Sequence, residues 1–391
     1  MFSPENALCS ELSSLFAQGL TRKLRALDTP CLPLVRAGEE ELLSFASNDY
    51  LGLAAHPTLA RALADGALAW GSGSGASHLI SGHLKPHALL EEALANFLGF
   101  PRCLTFSSGY LANLAVTPTL AAGRDDAIFA DRLNHASLID AARLSRARQQ
   151  RYPHGDLKAL QRLLSASKAK TKVIVTDAVF SMDGDIAPLA GLWELAEQFD
   201  AWLVVDDAHG FGVLGERGAG SLSYCGLPPH PGIILMGTLG KAAGVGGAFV
   251  AASETVIEYL LNKARSFIFT TAQPPALAVA ALASLHLISE SDARRAHLRN
   301  LIRQLRAALS ALPWPLLPSA TAIQPVLVGD NQTALSLSEV LRKRGVWVPA
   351  IRPPTVPQGM ARLRVSLSAA HNEEDVTRLA KALHEAGREM A

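Results

Sequence analysis

The chain has no surplus of charge: 36 Lys and Arg stand against 35 Asp and Glu. No global field therefore draws it to nucleic acid or to an anionic membrane, and any anion it binds must be held by a local site. Cysteine is scarce. Cys9, Cys31, Cys103 and Cys225 are far apart and form no C-x-x-C pair, which indicates neither a metal site nor a disulfide framework, and the four read as thiols of a reducing compartment. No apolar run reaches the ~20 residues of a membrane span. The longest, 275–289, is Ala-rich, contains His286 and reads as a buried helix. Met1-Phe2-Ser3-Pro4-Glu5-Asn6 lacks the basic start and apolar core of a secretory leader, so the expectation is a cytoplasmic protein. Repeats and low-complexity tracts are also missing, and Pro228-Pro229-His230-Pro231 marks a turn, not a linker.

What is present is apolar mass. Hydrophobic residues make up 49% and charged residues 18% of 391, and a chain of this length outgrows one core, which implies a large domain and a smaller one. Up to about residue 40 apolar and charged positions alternate as in an amphipathic helix, with a basic cluster at Arg22, Lys23 and Arg25; this segment is expected to pack on the body or on a partner subunit. From about Phe45 short apolar runs alternate with helical stretches, the rhythm of βα units in a mostly parallel sheet. The expected division is an N-terminal segment over 1–45, a large three-layer α/β domain over 46–285, and a small C-terminal α+β domain over 286–391. The last carries strands at Gln324 to Val328, Val346 to Val348 and Arg362 to Leu367.

Five runs mark strands of the large domain: Cys103 to Phe106, Ala127 to Ala130, Val173 to Thr176, Leu203 to Asp206, and Ile233 to Met236. Each is too short for a helix and leads into Gly or polar residues. Ligands of open α/β sheets bind beyond the carboxyl ends of the strands, so the residues that follow each run are the candidates. Ser107-Ser108-Gly109-Tyr110 opens a helix whose free amides and dipole suit a phosphate, or is an ordinary capped helix. His135, after the second run, can stack on a flat heteroaromatic ring or pack its own helix. Ser181, in the polar turn Ser181-Met182-Asp183-Gly184-Asp185, can donate to a phenolate-like oxygen or serve the turn alone.

The fourth run gives Asp206-Asp207-Ala208-His209-Gly210. A carboxylate at the end of a buried strand needs a positive partner. A protonated pyridine nitrogen is one, with His209 reaching the ring's phenolic oxygen, and an Asp–Arg core pair is the alternative. The fifth run ends in Gly237-Thr238-Leu239-Gly240-Lys241-Ala242-Ala243-Gly244, where a lysine among small residues can approach a ring closely and form an imine; the bland alternative is a surface lysine in a loop. A phosphate loop is excluded, because Leu235 replaces its first glycine and Ala242 its Ser or Thr. Thr238 is a candidate phosphate contact.

Ser47-Asn48-Asp49-Tyr50-Leu51-Gly52-Leu53, Gly71-Ser72-Gly73-Ser74-Gly75, Asp206-Asp207-Ala208-His209-Gly210 and Gly237-Thr238-Leu239-Gly240-Lys241 resemble motifs of the α-oxoamine synthases, and the resemblance runs from about residue 20 to the C-terminus. It implies the three-layer fold-type-I transferase architecture, pyridoxal 5'-phosphate (PLP) as cofactor, no metal, and condensation of a small amino acid with an acyl thioester. Lys241 would carry the cofactor as a Schiff base, Asp206 would pair with the pyridinium, His209 and Ser181 would address the ring oxygen, and His135 would stack on the ring. Gly109, Tyr110 and Thr238 would hold the cofactor. Thr270 or Thr271 would reach the phosphate of a neighbouring subunit, in a homodimer with shared sites. Arg352 would clamp the amino-acid carboxylate, and His135, Thr355 and Arg22 would contact substrate, with the place of Arg22 open to Arg25. Ile351 to Pro357 and Ser366 to His371 resemble the branch that joins L-alanine to pimeloyl-CoA or a pimeloyl acyl-carrier protein. Sister activities with other amino acids and a silent subunit without PLP are the alternatives. Leu239 and Ala242-Ala243 depart mildly from the family pattern.

Overall fold

The computed structural model describes residues 3–390; Met1 and Phe2, part of the leader reading, and Ala391 lie outside the described residues. The chain forms two compact units, one of Asp49–Ser181 with Asp185–Ala296, the other of the residues up to Asn48 with Met182–Gly184 and His297–Ala391.

The helix expected up to about residue 40 is shorter, covering Ser3–Ala17, and none of its residues is buried. Leu8, Leu12 and Phe16 are exposed along it. Beyond it Gly19, Pro30, Pro33 and Gly38 interrupt any helical period, and the chain instead makes a hairpin of β1 (Leu34–Ala37) and β2 (Glu40–Ser44). Gly38 takes φ 63 at the turn.

In the larger unit β3 (Arg102–Phe106), β4 (Ala127–Asp131), β5 (Arg148–Tyr152), β6 (Lys172–Asp177), β7 (Ala201–Asp206), β8 (Ile233–Thr238) and β9 (Ala248–Ala252) form one seven-stranded sheet in the order β3-β9-β8-β7-β6-β4-β5. Strands β4 to β8 run parallel, and β9 runs antiparallel to both β8 and β3. All five expected strands are present. Strand β5, Arg148-Gln149-Gln150-Arg151-Tyr152, was not expected, since an edge strand with charged, exposed positions carries no apolar run. Strand β9 follows the lysine loop, too close behind it for a βα unit. Val173, Val175, Val204, Ile234, Met236 and Val250 share one face with residues of helices Gly109–Leu120 and Glu254–Lys263. Their alternates Ile174, Leu203, Val205, Ile233, Leu235 and Phe249 are buried as well. A sheet covered on both faces is the middle layer of three. The run at 275–289 is a helix, Pro275–Ser289, buried along much of its length. No single helix among the described residues is long and apolar enough to cross a membrane.

The smaller unit contains β10 (Ile323–Gly329), β11 (Val346–Trp347), β12 (Ala350–Ile351) and β13 (Ala361–Ser366), in sheets of order β1-β2-β11 and β10-β13-β12. Strand β11 pairs parallel with β2, Val346 beside Leu43, so residues expected as separate terminal pieces share one unit. His371 reinforces the join: it stacks on Phe45 and its Nε2 lies 2.9 Å from the Ser44 carbonyl. Residues 182–184 belong here because the buried Arg362 guanidinium donates to the Met182 carbonyl at 3.0 Å and to Asp183 Oδ1 at 2.8 Å.

Gly237 on β8 faces Phe249 on β9, and a Cβ there would lie 2.3 Å from the buried ring. Gly237→Ala is expected to cost about 1–3 kcal/mol by overpacking. In urea titrations Phe249→Leu should restore part of that loss; strictly additive effects would contradict the contact.

Candidate active site

Strands β6 and β7 end on carboxyl groups, with Asp177 beside Asp206 in register. Both are buried. Asp206 Oδ2 accepts from Asn113 Nδ2 at 2.8 Å and Oδ1 from the Ala208 N–H at 3.0 Å. The Asp–Arg core pair held open by the sequence is thus not formed: the donors are an amide and a main-chain N–H. Asp177 Oδ2 accepts the His135 N–H at 2.7 Å. Burial, and then the neighbouring Asp206, push the Asp177 carboxyl well above its usual range. Asp207 is fastened instead by Ser221, whose hydroxyl and N–H donate to it at 2.5 and 2.7 Å.

Lys241 stands in the loop between β8 and β9. Leu239 N–H donates to Gly247 O at 2.9 Å, Gly244 N–H to Lys241 O at 2.9 Å, and Ser284 Oγ to Ala243 O at 2.6 Å. Gly244 has φ 67, and a Cβ there would sit 2.5 Å from the Ala54 nitrogen, so no other residue fits. The loop is therefore fixed by its main chain. Lys241 Nζ lies 2.8 Å from His209 Nε2, and His209 Nδ1 lies 2.6 Å from the Tyr50 hydroxyl. With Nζ donating to Nε2, the Nδ1–H donates to the buried Tyr50 oxygen.

His135 caps the helix Ala136–Leu144, its Nδ1 accepting from Ser137 N–H at 3.3 Å and lying 2.7 Å from Ser137 Oγ. Asn113 Nδ2 also donates to Ser137 Oγ at 2.8 Å, so one amide joins Asp206 to the His135 cap. The His135 side chain keeps an exposed surface. Crowding on its other sides lowers its pKa, Asp206 opposes that, and Lys241 adds to it. Gly109 and Tyr110 open the helix Gly109–Leu120, capped by Ser108 Oγ on the Leu111 N–H at 3.3 Å. Tyr110 is exposed and donates its hydroxyl hydrogen to Asp140. Thr238 ends β8; its hydroxyl donates to Gly247 O at 3.1 Å and accepts the Gly240 N–H at 3.3 Å. Ser181 and Thr270 are half-buried in the same unit, and Thr271 is exposed where it bridges Ser77.

The other expected contacts gather in the smaller unit. Arg22, Arg352 and Thr355 line a cavity of ≈ 100 Å³ with Leu20 and Ile351. Arg352 donates from Nη1 to the Gly19 carbonyl, and its Nε is buried without a partner. Burial and then Arg22 lower its pKa. Arg25 lies over the Trp347 ring, 5.6 Å from its centroid, so Arg22 is the cation that joins Arg352.

Sequence reasoning passed over four groups. Tyr50 stands in the Ser47 to Leu53 motif and Asn113 in the helix that Gly109 opens, both without an expected role. Asp177 ended an identified strand, but the run was read only to Thr176. Arg364, buried on β13, donates from Nη1 to Asn48 Oδ1 at 3.1 Å and to Ser366 Oγ at 2.7 Å; a second guanidinium held by neutral oxygens left no pattern to find. Elsewhere His78, His83 and His87 bring ligand atoms within 4.8 Å of one another. His87 is already engaged, however, accepting the Leu84 N–H at Nδ1 (3.0 Å) and reaching the Gln273 carbonyl from Nε2 (2.9 Å).

The chemistry of the larger unit's donor set fits PLP. A buried carboxylate whose donors among the described residues are neutral suits a protonated ring nitrogen, an exposed imidazole suits a ring face, and an amine suits the aldehyde. The helix start at Gly109 has amides without intrahelical acceptors, as a phosphate requires. A Cβ on Gly240 would meet nothing nearer than 3.7 Å, and buried Asn113 Oδ1 has no hydrogen-bond partner, so space and acceptor capacity remain.

A family model described as aminotransferase class I and II matches residues 40–383. An 8-amino-7-oxononanoate synthase of Dechloromonas aromatica (strain RCB) is 64% identical over 97% of this chain and 99% of its own. One of Herminiimonas arsenicoxydans is 60% identical over 97% and 98%. A solved serine palmitoyltransferase of S. paucimobilis, with bound PLP-myriocin aldimine, is similar at 28% identity with a TM-score of 0.92, over 99% of this chain and 98% of that one.

The raised Asp177 makes a prediction of definite sign. An acid whose folded pKa lies above its unfolded value of 3.8 costs stability once pH exceeds that value. Asp177→Asn keeps an oxygen for the His135 N–H and removes the penalty. Thermal melts of the apoprotein should show the variant melting higher at neutral pH, with the gain vanishing below about pH 4; a variant that melts lower throughout would contradict the assignment.

Proposed function

The chain belongs to the aminotransferase class I and II family, and from that premise we propose that it condenses L-alanine with a pimeloyl thioester to give 8-amino-7-oxononanoate, CO2 and a free thiol. The observation that carries the chemistry is a lysine amine hydrogen-bonded to an imidazole and, at the same sheet edge, a buried carboxylate that accepts from an amide and a main-chain N–H. The relatives carry the product, since the synthases named for it are 64% and 60% identical and the serine palmitoyltransferase 28%.

When bound, PLP supplies a protonated aromatic ring into which the electron pair left at the substrate Cα can spread. Asp206, steadied by Asn113 and the Ala208 N–H, holds the proton on the ring nitrogen. Lys241 holds the cofactor through its amine and, once released by the substrate, moves the Cα proton. His209 and Tyr50 orient that amine. His135 forms a flat wall that also meets substrate, Ser181 donates to the ring oxygen, and His209 does so from Nε2 in the tautomer whose Nδ1 accepts the Tyr50 hydroxyl hydrogen. Gly109, Tyr110 and Thr238 hold the phosphate, with Thr270 or Thr271 serving a neighbouring subunit of a homodimer. Arg352 takes the substrate carboxylate, and Arg22 and Thr355 support it. In the net reaction a C–C bond forms between Cα and the acyl carbonyl, the C–S bond breaks to release the thiol, and the carboxylate leaves as CO2. The donor is pimeloyl-CoA or its carrier-protein equivalent, used in the cytoplasm.

PLP-loaded protein should release thiol from pimeloyl-CoA with L-alanine, not glycine or L-serine, and the product mass should match 8-amino-7-oxononanoate. Lys241→Ala should lose about a thousandfold or more in kcat. Full turnover by that variant would sink the mechanism, and turnover only with another amino acid would sink the substrate. Arg352→Lys should raise the alanine KM about tenfold or more, because a lysine cannot bind a carboxylate in bidentate fashion. If Arg364→Lys shows that rise instead, the clamp is Arg364.

A further inference from the structure

His154, which no step above uses, touches three segments at the carboxyl edge of the large sheet. It follows β5. Its Nδ1 lies 3.1 and 3.2 Å from the two oxygens of Asp131, the last residue of β4, and its Nε2 lies 2.8 Å from Asp185 Oδ2. With a carboxylate at each ring nitrogen, both nitrogens donate and the ring is a cation. The two hydrogen bonds raise its pKa to about 10 against the opposing effect of burial. Asp131 is buried, and its oxygens also accept the N–H groups of Leu133 at 2.8 Å and Gly155 at 2.9 Å. Removing the imidazolium would leave a buried anion with main-chain donors alone.

The same ring meets Phe180 edge-on, at 4.3 Å between centroids and 84°. Phe180 is buried and its N–H donates to the Asp185 carbonyl at 3.0 Å, closing the turn that begins with Ser181. On the other side, Asp131 begins the short segment to Asn134 and His135, where the Asn134 N–H returns to the Asp131 carbonyl at 3.3 Å. One cation therefore ties together the segments that carry Ser181 and His135.

We propose that His154 is a positioning residue, and that the Asp131–His154–Asp185 bridge sets the two segments presenting Ser181 and His135 to the cofactor. The bridge stands on geometry alone; its consequence for catalysis rests on the PLP reading above. His154→Gln removes the cation, and amide hydrogen exchange of the apoprotein reads the two segments directly. Exchange over 131–136 and 178–186 should quicken. In the PLP-loaded protein the pH midpoint of the cofactor's visible absorbance should shift, and kcat should fall about 10- to 100-fold, the scale of a misplaced group. The alanine KM should stay within about twofold. Adding His154→Gln to Ser181→Ala should cost less than it does alone, since neighbours in one network are not additive.

Unchanged exchange in both segments would overturn the proposal, as would faster exchange with spectrum and kcat untouched, which describes a purely structural ion bridge. If His154→Gln does not accumulate as folded protein, Asp185→Asn carries the same readouts, because it spares the imidazole and Asp131. A wild-type protein that takes up no cofactor would sink the PLP reading, and exchange alone would then decide on the bridge.

Discussion

Two carboxyl groups ending adjacent parallel strands in a buried space repel each other, and the pocket is arranged around that repulsion. Burial and its neighbour drive Asp177 toward the neutral form, and a main-chain N–H from the His135 cap still satisfies it. Among the described residues Asp206 receives an amide and an N–H but no cation. The consequence is a buried carboxylate whose donors among the described residues are neutral. An arginine at the same place would have stabilised the free chain and closed the site to a protonated ring.

The cationic side of the pocket follows the same economy of charge. Lys241 and His209 share one hydrogen bond, and Tyr50 takes the far end of the imidazole. Both links run through neutral side chains and orient the amine by hydrogen bonding. The rigidity comes from the main chain instead: Gly244 packed against Ala54, and the bonds that close residues 239–247. An amine held by a rigid main chain and a hydrogen-bonded imidazole is fixed in position.

Most of the sheet was legible in the sequence because buried parallel strands leave continuous apolar runs, and the first polar residue after each run falls where ligands bind. That rule led to Gly109, His135, Asp206 and Lys241. It stopped one residue short at Asp177 and could not find β5, whose Arg and Gln residues face solvent at the sheet edge. Tyr50 and Asn113 act through contacts with residues distant in sequence, Tyr50 with His209 and Asn113 with Asp206, which periodicity does not encode. The N-terminal segment reads as one helix because its apolar spacing continues past Ala17, whereas the glycines and prolines beyond it carry the stronger instruction. The cluster of Arg22, Arg352 and Thr355 followed from resemblance, not spacing. The position of Arg25 over Trp347, which separates the two arginines, needed coordinates.

Strand β2 finds its parallel neighbour β11 at the other end of the chain. On a ribosome the hairpin that contains β2 emerges early and waits, one edge unpaired, until nearly the whole polypeptide has been made. The larger unit is contiguous apart from a three-residue excursion and has all seven of its strands by Ala252. Its sheet can close while the rest is still being synthesised. The unit that holds Arg352 is thus assembled last, and a chain truncated before Val346 would leave β2 as a β edge open to other chains.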